Sequence, residues 1–471
     1  MRHVPELRLS KEALAPLGRC LVTGGAGYLG RCLAEALLAA GREVRLLDVR
    51  RHATTADLEA AGAEMWVGDV RDPALVARAC EGIDTVFHAA AIIDGRTHVS
   101  EAARARSVGV NVEGTRNVIA GARAAGTRRL VHTSSVNVVF DGRPIANGAE
   151  DTPYASEGPL DLYTETKLEA EKLVLGANGP ELATVALRPG GIFGPYEETH
   201  LPRLTKSVAR GYVRAIIGPG TARADNVYID DLVDASLRAA LALAGAPAGG
   251  TGDAAGKAYF VSDGEPKNYF AYAGPLMAQL GQPFPTLSVP PFLARPGVRL
   301  LEELSKRGGP YPPMSLMELE KVLEDHYFDP GPAERDFGFR AQVGHEETWR
   351  RCANWVAEIA ERTPVVTRPH VGWWIGVGTG LGLTFLLAFD RRAHRAASLF
   401  VPGFGVVFPR RVLKGIAAGA AALHIGEGIY AYRLAKRSGL EEVALDWGLQ
   451  TLALGWPSLR LLRREVARRA R

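Results

Sequence analysis

The sequence has little cysteine and little net charge. Its 471 residues include four cysteines, and none of them belongs to a CxxC pair. This spacing argues against a disulfide framework and against a metal cluster, and it favours a reducing compartment. The formal net charge is +4, without the strong basic excess of nucleic-acid-binding proteins. The first residues also lack the apolar run of a secretory signal, so we expect neither a nucleic-acid partner nor secretion.

A long apolar segment occurs near the C-terminus. Residues 371–389 (VGWWIGVGTGLGLTFLLAF) contain no charged side chain, and a membrane-spanning helix needs about 20 mainly apolar residues. Trp373 and Trp374 at one end are typical of the aromatic residues that anchor such a helix at the membrane interface. A buried, glycine-rich core helix is the alternative interpretation.

The surroundings of this segment are basic. Residues 391–471 carry 15 Lys and Arg against five acidic residues, which suits an anionic membrane surface. Two runs within 415–459 are rich in small residues but contain polar ones. We therefore predict a helical membrane-associated domain over residues 366–471, with membrane lipid as its partner. His424 and Glu427 lie three residues apart in the first run, where contacts between helices explain them better than a metal or proton site.

Residues 18–190 alternate between short apolar runs and helical patterns. Six runs rich in β-branched residues predict strands: GRCLVTGG, REVRLLDV, AEMWVGDV, DTVFHAAA, RRLVHTSS and ATVALRPG. The alternation predicts βαβ units, and hence an α/β fold with a Rossmann-type, doubly wound parallel sheet. We expect residues 1–17 to be an N-terminal extension. Residues 191–365, irregular and rich in Pro and Gly, are predicted to form a smaller substrate-binding lobe that is partly interleaved with the core.

A glycine-rich turn follows the first predicted strand. The spacing of Gly24, Gly27 and Gly30 in TGGAGYLG permits a tight turn, a close approach of the backbone to a pyrophosphate, and close packing of the next helix. Tyr28 and Leu29 open that helix, at whose N-terminus we expect a dinucleotide to bind.

An acidic residue completes this pattern. Asp48 ends the second strand 18 residues after Gly30, where a carboxylate accepts hydrogen bonds from the adenosine ribose and repels a 2′-phosphate. We therefore expect NAD as the cofactor. NADP is the less favoured alternative: Arg50 and Arg51 follow the strand and could receive a 2′-phosphate if the loop bends back. Further cofactor contacts are expected after the third and fourth strands, from Asp69, Val70, Ala89, Ala90 and Ala91.

Tyr163 and Lys167 lie four residues apart in a helical pattern, which places them on one helix face. Hydride transfer between an alcohol and a carbonyl requires a proton donor or acceptor at the substrate oxygen, and a nearby ammonium stabilises a tyrosine phenolate for this role. Lys167 can also bind the nicotinamide ribose. Ser135, at the end of the fifth strand, is the preferred residue to polarise the substrate carbonyl, and Ser134 is the alternative.

Further motifs accompany the residues already named: GDV, HAAA, NVEGT, HTSS, YTETK and RPGGIFGP. Together with TGGAGYLG and Asp48, and in this order, they resemble the extended short-chain dehydrogenase/reductase family over residues 18–365. RPGGIFGP, NVYIDDLVDA and the closing FDPGPAERDFGF look most like its 3β-hydroxysteroid dehydrogenase/sterol-4-carboxylate 3-dehydrogenase branch. The membrane-like tail departs from a minimal soluble reductase.

The resemblance implies a role for additional residues. Its catalytic set is the serine, tyrosine and lysine described above. Asn111 of NVEGT would bend its helix and support a proton relay. The segment from Pro189 to Ile192 would present backbone groups to the nicotinamide carboxamide.

We therefore expect an NAD(P)-dependent oxidoreductase that interconverts a secondary alcohol and a ketone on a lipophilic substrate, foremost a 3β-hydroxysteroid or sterol. The alternatives are a reductase of long-chain β-keto acids or flavonoid-like ketones and, in a different class, a non-catalytic NAD-binding membrane regulator. The protein is expected at a membrane with its catalytic domain in the cytoplasm, and a homodimer is compatible with these features.

Overall fold

Seven parallel strands form the main sheet of the protein. The computed structural model describes residues 3–96, 99–158, 160–245, 253–306 and 314–469. In chain order, the strands of this sheet and of the smaller sheets are β1 Cys20–Thr23, β2 Val44–Asp48, β3 Glu64–Val67, β4 Thr85–His88, β5 Arg129–Thr133, β6 Ile145–Gly148, β7 Ala183–Pro189, β8 Gly191–Phe193, β9 Ala215–Ile217, β10 Arg223–Ala224, β11 Asn226–Tyr228, β12 Lys257–Val261, β13 Lys267–Asn268, β14 Leu287–Val289 and β15 His326–Phe328.

The order of the strands places a binding crevice at the middle of the sheet. The order is β12-β7-β5-β4-β1-β2-β3, and all neighbouring strands are parallel. The chain runs outward from β1 to β3 and then returns to β4 on the other side of β1, so the direction of winding reverses between β1 and β4. Open α/β sheets bind ligands at such a reversal, beyond the carboxyl ends of the strands. The predicted doubly wound α/β fold is confirmed.

Helices cover both faces of this sheet, and further helices belong to the smaller lobe. In chain order the helices of both parts are α1 Tyr28–Ala39, α2 Ala53–Ala60, α3 Pro73–Cys80, α4 Glu101–Val108, α5 Gly114–Ala124, α6 Leu162–Gly176, α7 His200–Ala209, α8 Ile229–Leu243, α9 Tyr269–Tyr272, α10 Gly274–Gln279, α11 Pro291–Lys306, α12 Leu316–Leu323, α13 Gly331–Phe337 and α14 His345–Arg362. Helices α1 and α8 bury Leu33 and Leu237 in one core cluster. Helices α3, α5 and α6 bury Val76, Val118 and Val174 in the other. Because both faces are covered, all residues of the central strands β1 and β4 are buried.

The smaller lobe consists of short strands and helices. Strands β13, β10, β15 and β6 form one small sheet, while β8 pairs with β11 and β9 pairs with β14. Helix α14 packs Trp349 and Val356 against Leu201 of α7 and Leu276 of α10. Strand β12 of the main sheet comes from residues that the sequence analysis gave to this lobe, which it predicted to be partly interleaved with the core. The domain boundaries themselves stay predictions.

The chain divides into two compact units, Met1–Ala360 and Glu361–Arg471, and the second unit is helical. Its helices are α15 Val371–Phe389, α16 Arg391–Phe400, α17 Phe404–Val407, α18 Arg410–Arg437, α19 Ala444–Leu454 and α20 Trp456–Arg469. Trp447 of α19 is fully buried against Ala431 and Ala435 of α18. Among the described residues, α15 and α18 are the helices long and apolar enough to cross a membrane. The run at 443–459 is broken at Gly455, where φ is +63°.

Candidate active site

The glycine-rich turn joins β1 to α1 and leaves the start of the helix open. Gly24 has φ +71°, and a Cβ there would lie 2.8 Å from the backbone nitrogen of Ala90. A Cβ at Gly30 would lie 2.1 Å from the carbonyl oxygen of Gly24, so the absence of a side chain lets α1 pack against the turn. Gly27 is the N-cap of α1 and has no side chain to cap it, so the first amides of the helix remain for an anion. These residues fit the pyrophosphate of a dinucleotide.

The next two residues attach α1 to the rest of the unit. The hydroxyl of Tyr28 donates a hydrogen bond to the carbonyl oxygen of Pro195 at 3.0 Å. The side chain of Leu29 is buried in the core, so only its backbone is placed to face a cofactor. Their predicted contact with a dinucleotide stays a prediction.

Asp48 lies at the carboxyl end of β2, next to the glycine-rich turn. Its Oδ2 accepts a hydrogen bond from the Ala26 amide at 3.1 Å, and its Oδ1 accepts one from the Arg50 amide at 3.2 Å. The carboxylate therefore holds the turn and remains half-buried at the sheet edge where an adenosine ribose would bind. Of the two nearby arginines, Arg51 forms an ion pair with Glu59 at 2.9 Å.

Replacing Asp48 with asparagine should shift the cofactor preference toward NADP. The amide oxygen of Asp48→Asn can still accept the Ala26 hydrogen bond, but the charge that binds ribose hydroxyls and repels a 2′-phosphate is lost. We expect the ratio of kcat/KM for NAD to that for NADP to fall by about 10-fold or more. Steady-state kinetics with both cofactors measure this ratio, and the exposed Glu181→Gln is the control. An unchanged ratio would mean that Asp48 only supports the turn.

The residues predicted at the third and fourth strands lie at the same edge of the sheet. Asp69 forms an ion pair with Arg71 at 2.6 Å, and hydrogen bonds from that arginine lower the pKa of the Asp69 carboxyl. Val70 is buried and packs against α5. The amides of Ala89 and Ala90 donate to the carbonyl and hydroxyl oxygens of residue 23, each at 3.3 Å. Ala89 and Ala90 therefore lie beside the glycine-rich turn, with the half-buried Ala91 next to them.

Tyr163 and Ser135 meet at the carboxyl edge of the sheet. Tyr163 is in the first turn of α6, and its hydroxyl lies near the Ser135 side chain. Burial raises the pKa of Tyr163 to about 12, the nearby Asp161 carboxylate adds to the rise, and the nearby Ser135 hydroxyl opposes it. The hydroxyl of Ser134 is buried without a hydrogen-bond partner among the described residues. Of the two serines, Ser135 is thus the one beside the tyrosine.

Lys167 is buried one turn further along α6. Its Nζ donates to the carbonyl oxygen of Thr133 at 2.5 Å and lies 3.1 Å from Nε2 of His132. Burial lowers the pKa of Lys167 to about 7, and the Glu171 carboxylate partly opposes this effect. The amine is therefore close to half protonated at neutral pH, and any additional negative charge beside it will favour the ammonium form.

Asn111 lies in a helical distortion that connects two parts of the site. A five-residue π-helix, Gly109–Glu113, joins α4 to α5. The Asn111 side chain accepts a hydrogen bond from the Ile92 amide at 2.7 Å and donates to the Ile92 carbonyl at 3.0 Å. It also donates to the Thr166 hydroxyl at 2.9 Å. Asn111 thus ties the loop after β4 to α6 beside Lys167, while its predicted role in a proton relay stays a prediction.

The segment after β7 is held by neighbouring strands. The amide of Gly190 donates to Val261, and the amide of Gly191 donates to Asp225, both at 3.1 Å. Pro189 is the last residue of β7, and Ile192 pairs with a residue of β11 while remaining half-buried. The two glycine amides are therefore not available to a cofactor.

Sequence reasoning missed two buried histidines beneath the site. His88 ends β4, and His132 lies in β5 one residue before its end, with ring centroids 5.2 Å apart. Each is the first residue of a recognised motif, HAAA for His88 and HTSS for His132. Their position at the carboxyl ends of central strands was the available signal, but an alternating strand pattern does not show which side chains meet.

His424 and Glu427 face a helix break in the second unit. Nδ1 of His424 lies 2.9 Å from the carbonyl oxygen of Leu452 in α19, a contact between helices of the kind the sequence favoured. A Cβ at Gly455 would lie 2.8 Å from a Glu427 carboxylate oxygen and 3.3 Å from Nε2 of His424. Within the described residues, no group of three or more His, Cys, Asp or Glu could hold a metal ion.

Two family models match the chain. The 3-beta hydroxysteroid dehydrogenase/isomerase family matches residues 21–290, and Transmembrane protein 254 matches residues 372–464. Among solved structures, the dTDP-glucose 4,6-dehydratase DesIV from Streptomyces venezuelae, with NAD bound, is similar with a TM-score of 0.56 and 25% identity, covering 72% of this chain and 97% of that one. The structure of gox2253 is similar with a TM-score of 0.58 and 23% identity, covering 72% and 98%. These likenesses support the fold described above.

Named relatives match nearly their whole length. A 3 beta-hydroxysteroid dehydrogenase/Delta 5-->4-isomerase of Mycobacterium tuberculosis is 37% identical over 370 residues, which cover 77% of this chain and 95% of that protein. A 2-alkyl-3-oxoalkanoate reductase of Stenotrophomonas maltophilia is 37% identical, covering 71% and 98%. The decarboxylating sterol-4-alpha-carboxylate 3-dehydrogenase of Bos taurus is 34% identical, covering 60% and 75%. The resemblance found in the sequence is confirmed: this chain belongs to the 3-beta hydroxysteroid dehydrogenase/isomerase family.

Proposed function

We propose that this oxidoreductase interconverts the 3β-hydroxyl group and the 3-ketone of a steroid or sterol, with NAD as its cofactor. The observation that carries the proposal is the placement of Tyr163 beside Ser135 at the carboxyl edge of the sheet, one helical turn from the buried Lys167. These groups lie at the carboxyl edge of a sheet whose glycine-rich turn fits a dinucleotide. The steroid class is supported by the relatives that are named as dehydrogenases of 3β-hydroxysteroids and of a sterol carboxylate.

The residues that would hold the cofactor follow the crevice between β1 and β4. The glycine-rich turn would bind the pyrophosphate, and Asp48 would bind the adenosine ribose. Lys167 would reach the nicotinamide ribose from α6. NAD, when bound, supplies the acceptor and donor of the hydride.

Tyr163 would exchange the proton of the substrate oxygen. In alcohol oxidation its phenolate accepts the hydroxyl proton, and in ketone reduction its hydroxyl donates that proton. Ser135, which lies beside Tyr163, would donate a hydrogen bond to the same oxygen and orient it. Because burial holds the pKa of Tyr163 at about 12, the phenolate requires a positive charge nearby, and Lys167 supplies it in its ammonium form.

A direct assay tests the substrate class. Purified full-length protein should reduce NAD to NADH, followed at 340 nm as is usual for this cofactor, when a 3β-hydroxysteroid is added. The matched control is the 3α-epimer of the same steroid, which places its hydrogen on the opposite face of the ring and should react much more slowly. Equal rates with the two epimers, or no rate with either, would contradict a 3β-specific site.

A second candidate function is reduction of a long-chain β-keto acid. It is favoured by the 37% identity with the 2-alkyl-3-oxoalkanoate reductase, of which the chain covers 98%. A turnover with such a keto acid that exceeds the turnover with any steroid would support this candidate. Binding of NAD without turnover of either class would instead support a non-catalytic regulator.

The second unit associates the protein with a membrane. Helices α15 and α18 are long and apolar enough to span a bilayer, and their region matches Transmembrane protein 254. The proposal supported by this unit is that membrane lipid surrounds it and that a lipophilic substrate reaches the enzyme from the bilayer. Extraction of the protein from membranes by alkaline carbonate, without detergent, would contradict spanning helices.

We also propose that the catalytic unit lies in the cytoplasm. All four cysteines are free and buried, in keeping with a reducing compartment. A protease test checks this orientation: the catalytic unit should be digested by a protease added to the cytoplasmic side of intact membranes and protected from one added to the other side.

We also propose that the protein forms a homodimer. Light scattering of the purified protein tests this proposal.

A further inference from the structure

His132 contacts Lys167 from the neighbouring strand β5. It is buried, and its Nε2 lies 3.1 Å from the Lys167 amine. Its Nδ1 is also buried and has no hydrogen-bond partner among the described residues. Burial, followed by the nearby charge of Lys167, lowers the pKa of His132 well below its usual range, so the ring is neutral. A neutral ring that receives a hydrogen bond from an amine must accept it on an unprotonated nitrogen, so Nε2 is the acceptor and Nδ1 carries the hydrogen.

His88 differs from His132 although both are buried in adjacent strands. Nδ1 of His88 lies 2.7 Å from the Thr23 hydroxyl, and Nε2 lies 2.9 Å from the Thr115 hydroxyl. The Thr115 hydroxyl donates to the carbonyl oxygen of Asn111 at 2.6 Å, so it must accept from Nε2 of His88. Both nitrogens of His88 are therefore satisfied by neutral partners. His132 leaves one nitrogen unsatisfied, and its other nitrogen meets a titratable amine.

Neutral hydrogen-bond acceptors stabilise the positive charge of Lys167. The titratable groups that interact with its charge are Glu171 from α6, His132 from β5 and His88 from β4, and Tyr163 lies one turn before it on the same helix. The Glu171 carboxylate is buried in an ion pair with Arg188 at 2.6 Å, and it also accepts a hydrogen bond from a tyrosine hydroxyl. No carboxylate among the described residues forms an ion pair with Lys167, so the protein atoms that receive its hydrogen bonds are the Thr133 carbonyl oxygen and Nε2 of His132.

We propose that His132 is a positioning residue for Lys167: its neutral Nε2 accepts a hydrogen bond that holds the amine in its charged form and directs it toward the site of Tyr163. This inference deepens the proposed function and rests on it. The neutral imidazole accepts from the ammonium without competing for the positive charge, whereas a carboxylate at this position would pair with the lysine and cancel its effect on the phenolate.

Removing the acceptor should narrow the pH range of activity. In His132→Leu the ammonium loses a hydrogen bond of the strength typical for a charged donor, so its pKa, already lowered to about 7 by burial, should fall by about one further unit. The alkaline limb of the profile of kcat for alcohol oxidation then moves to lower pH. The acid limb moves to higher pH, because the Tyr163 phenolate loses stabilisation. We expect kcat at the optimum to fall by about 10-fold.

The test compares three variants of the full-length protein, each checked by thermal unfolding. His132→Gln supplies a neutral acceptor that cannot ionise and should restore both limbs toward those of the parent. His88→Gln, in the adjacent strand, should leave the positions of both limbs unchanged whatever its level of activity. If His132→Leu does not fold, His132→Met takes its place. The inference is overturned if the limbs of the pH profile do not move in His132→Leu (or His132→Met). It is also overturned if they fail to return in His132→Gln. A parent protein without turnover overturns the proposed function instead.

Discussion

Replacing Tyr163 with phenylalanine should reduce kcat by about 10²–10⁴-fold, the range typical of a lost general acid or base. The ring of Tyr163→Phe fills the same space, and only the hydroxyl that lies beside Ser135 and exchanges the proton is lost. Binding of NAD should change little, because the cofactor residues lie on other elements. Single-turnover measurement of NADH formation gives the rate, and fluorescence titration gives the affinity for NADH.

The control for this variant is Tyr212→Phe, which removes the hydroxyl of an exposed tyrosine in the same unit. It should retain the parent rate. If Tyr163→Phe retained more than about one tenth of the parent kcat, another group would have to exchange the proton, and the enzymatic part of the proposal would lose its basis.

Replacing Lys167 with methionine should strongly reduce activity and also stabilise the protein. Without the ammonium, the Tyr163 phenolate is no longer favoured, so kcat should fall by about 10²–10³-fold. Burial lowers the pKa of the amine from 10.5 to about 7, which costs the fold about 4 kcal/mol at pH 7. Two hydrogen bonds are lost in exchange. We therefore expect Lys167→Met to raise the free energy of unfolding by about 1–2 kcal/mol at pH 7.

The direction of the Lys167 pKa shift determines how the stability gained in Lys167→Met varies with pH. The pKa of Lys167 is lower in the folded than in the unfolded protein, so the unfolded chain binds more protons between pH 7 and 10.5. The stability of the parent should therefore rise with pH over that interval. The advantage of Lys167→Met should be full below pH 7 and should disappear as the pH approaches 10.5. Denaturant unfolding at several pH values measures it.

The exposed Lys172 on the same helix provides the control. Lys172→Met removes an amine whose environment is largely water, so neither the kinetics nor the pH dependence of unfolding should change appreciably. A Lys167→Met variant that is less stable than the parent at every pH would show that the two hydrogen bonds outweigh the cost of burying the amine.

Short stretches of the sequence were sufficient to predict much of the candidate site. The glycine-rich turn is encoded within eight consecutive residues, and its backbone requirements are strict, since Gly24 has a positive φ and Gly30 touches the turn. The spacing of Tyr163 and Lys167 on one helix, and the placement of Asp48 at a strand end, are likewise properties of sequence separation alone. Local geometry is therefore sufficient to predict these features without any knowledge of tertiary contacts.

Tertiary structure decided how those residues interact. Strand β12 joins the sheet beside β7 although more than 60 residues separate them, and its run of apolar residues follows irregular loops that hide it. The choice of Ser135 over Ser134 depends on the path of the chain after β5 relative to α6. The link from Asn111 to both Ile92 and Thr166 joins three separate elements.

The protonation of Lys167 shows most clearly the difference between what sequence spacing predicts and what tertiary contacts set. The spacing along the chain establishes that a lysine follows the tyrosine by four residues, and hence that the two share a helix face. Only the folded protein decided that the lysine is buried, that Glu171 is paired with Arg188, and that His132 receives its hydrogen bond. A pattern of spacing records which residues are neighbours along one element. Desolvation and hydrogen bonding across strands depend on groups that are distant in the chain, and these set the charge on the amine.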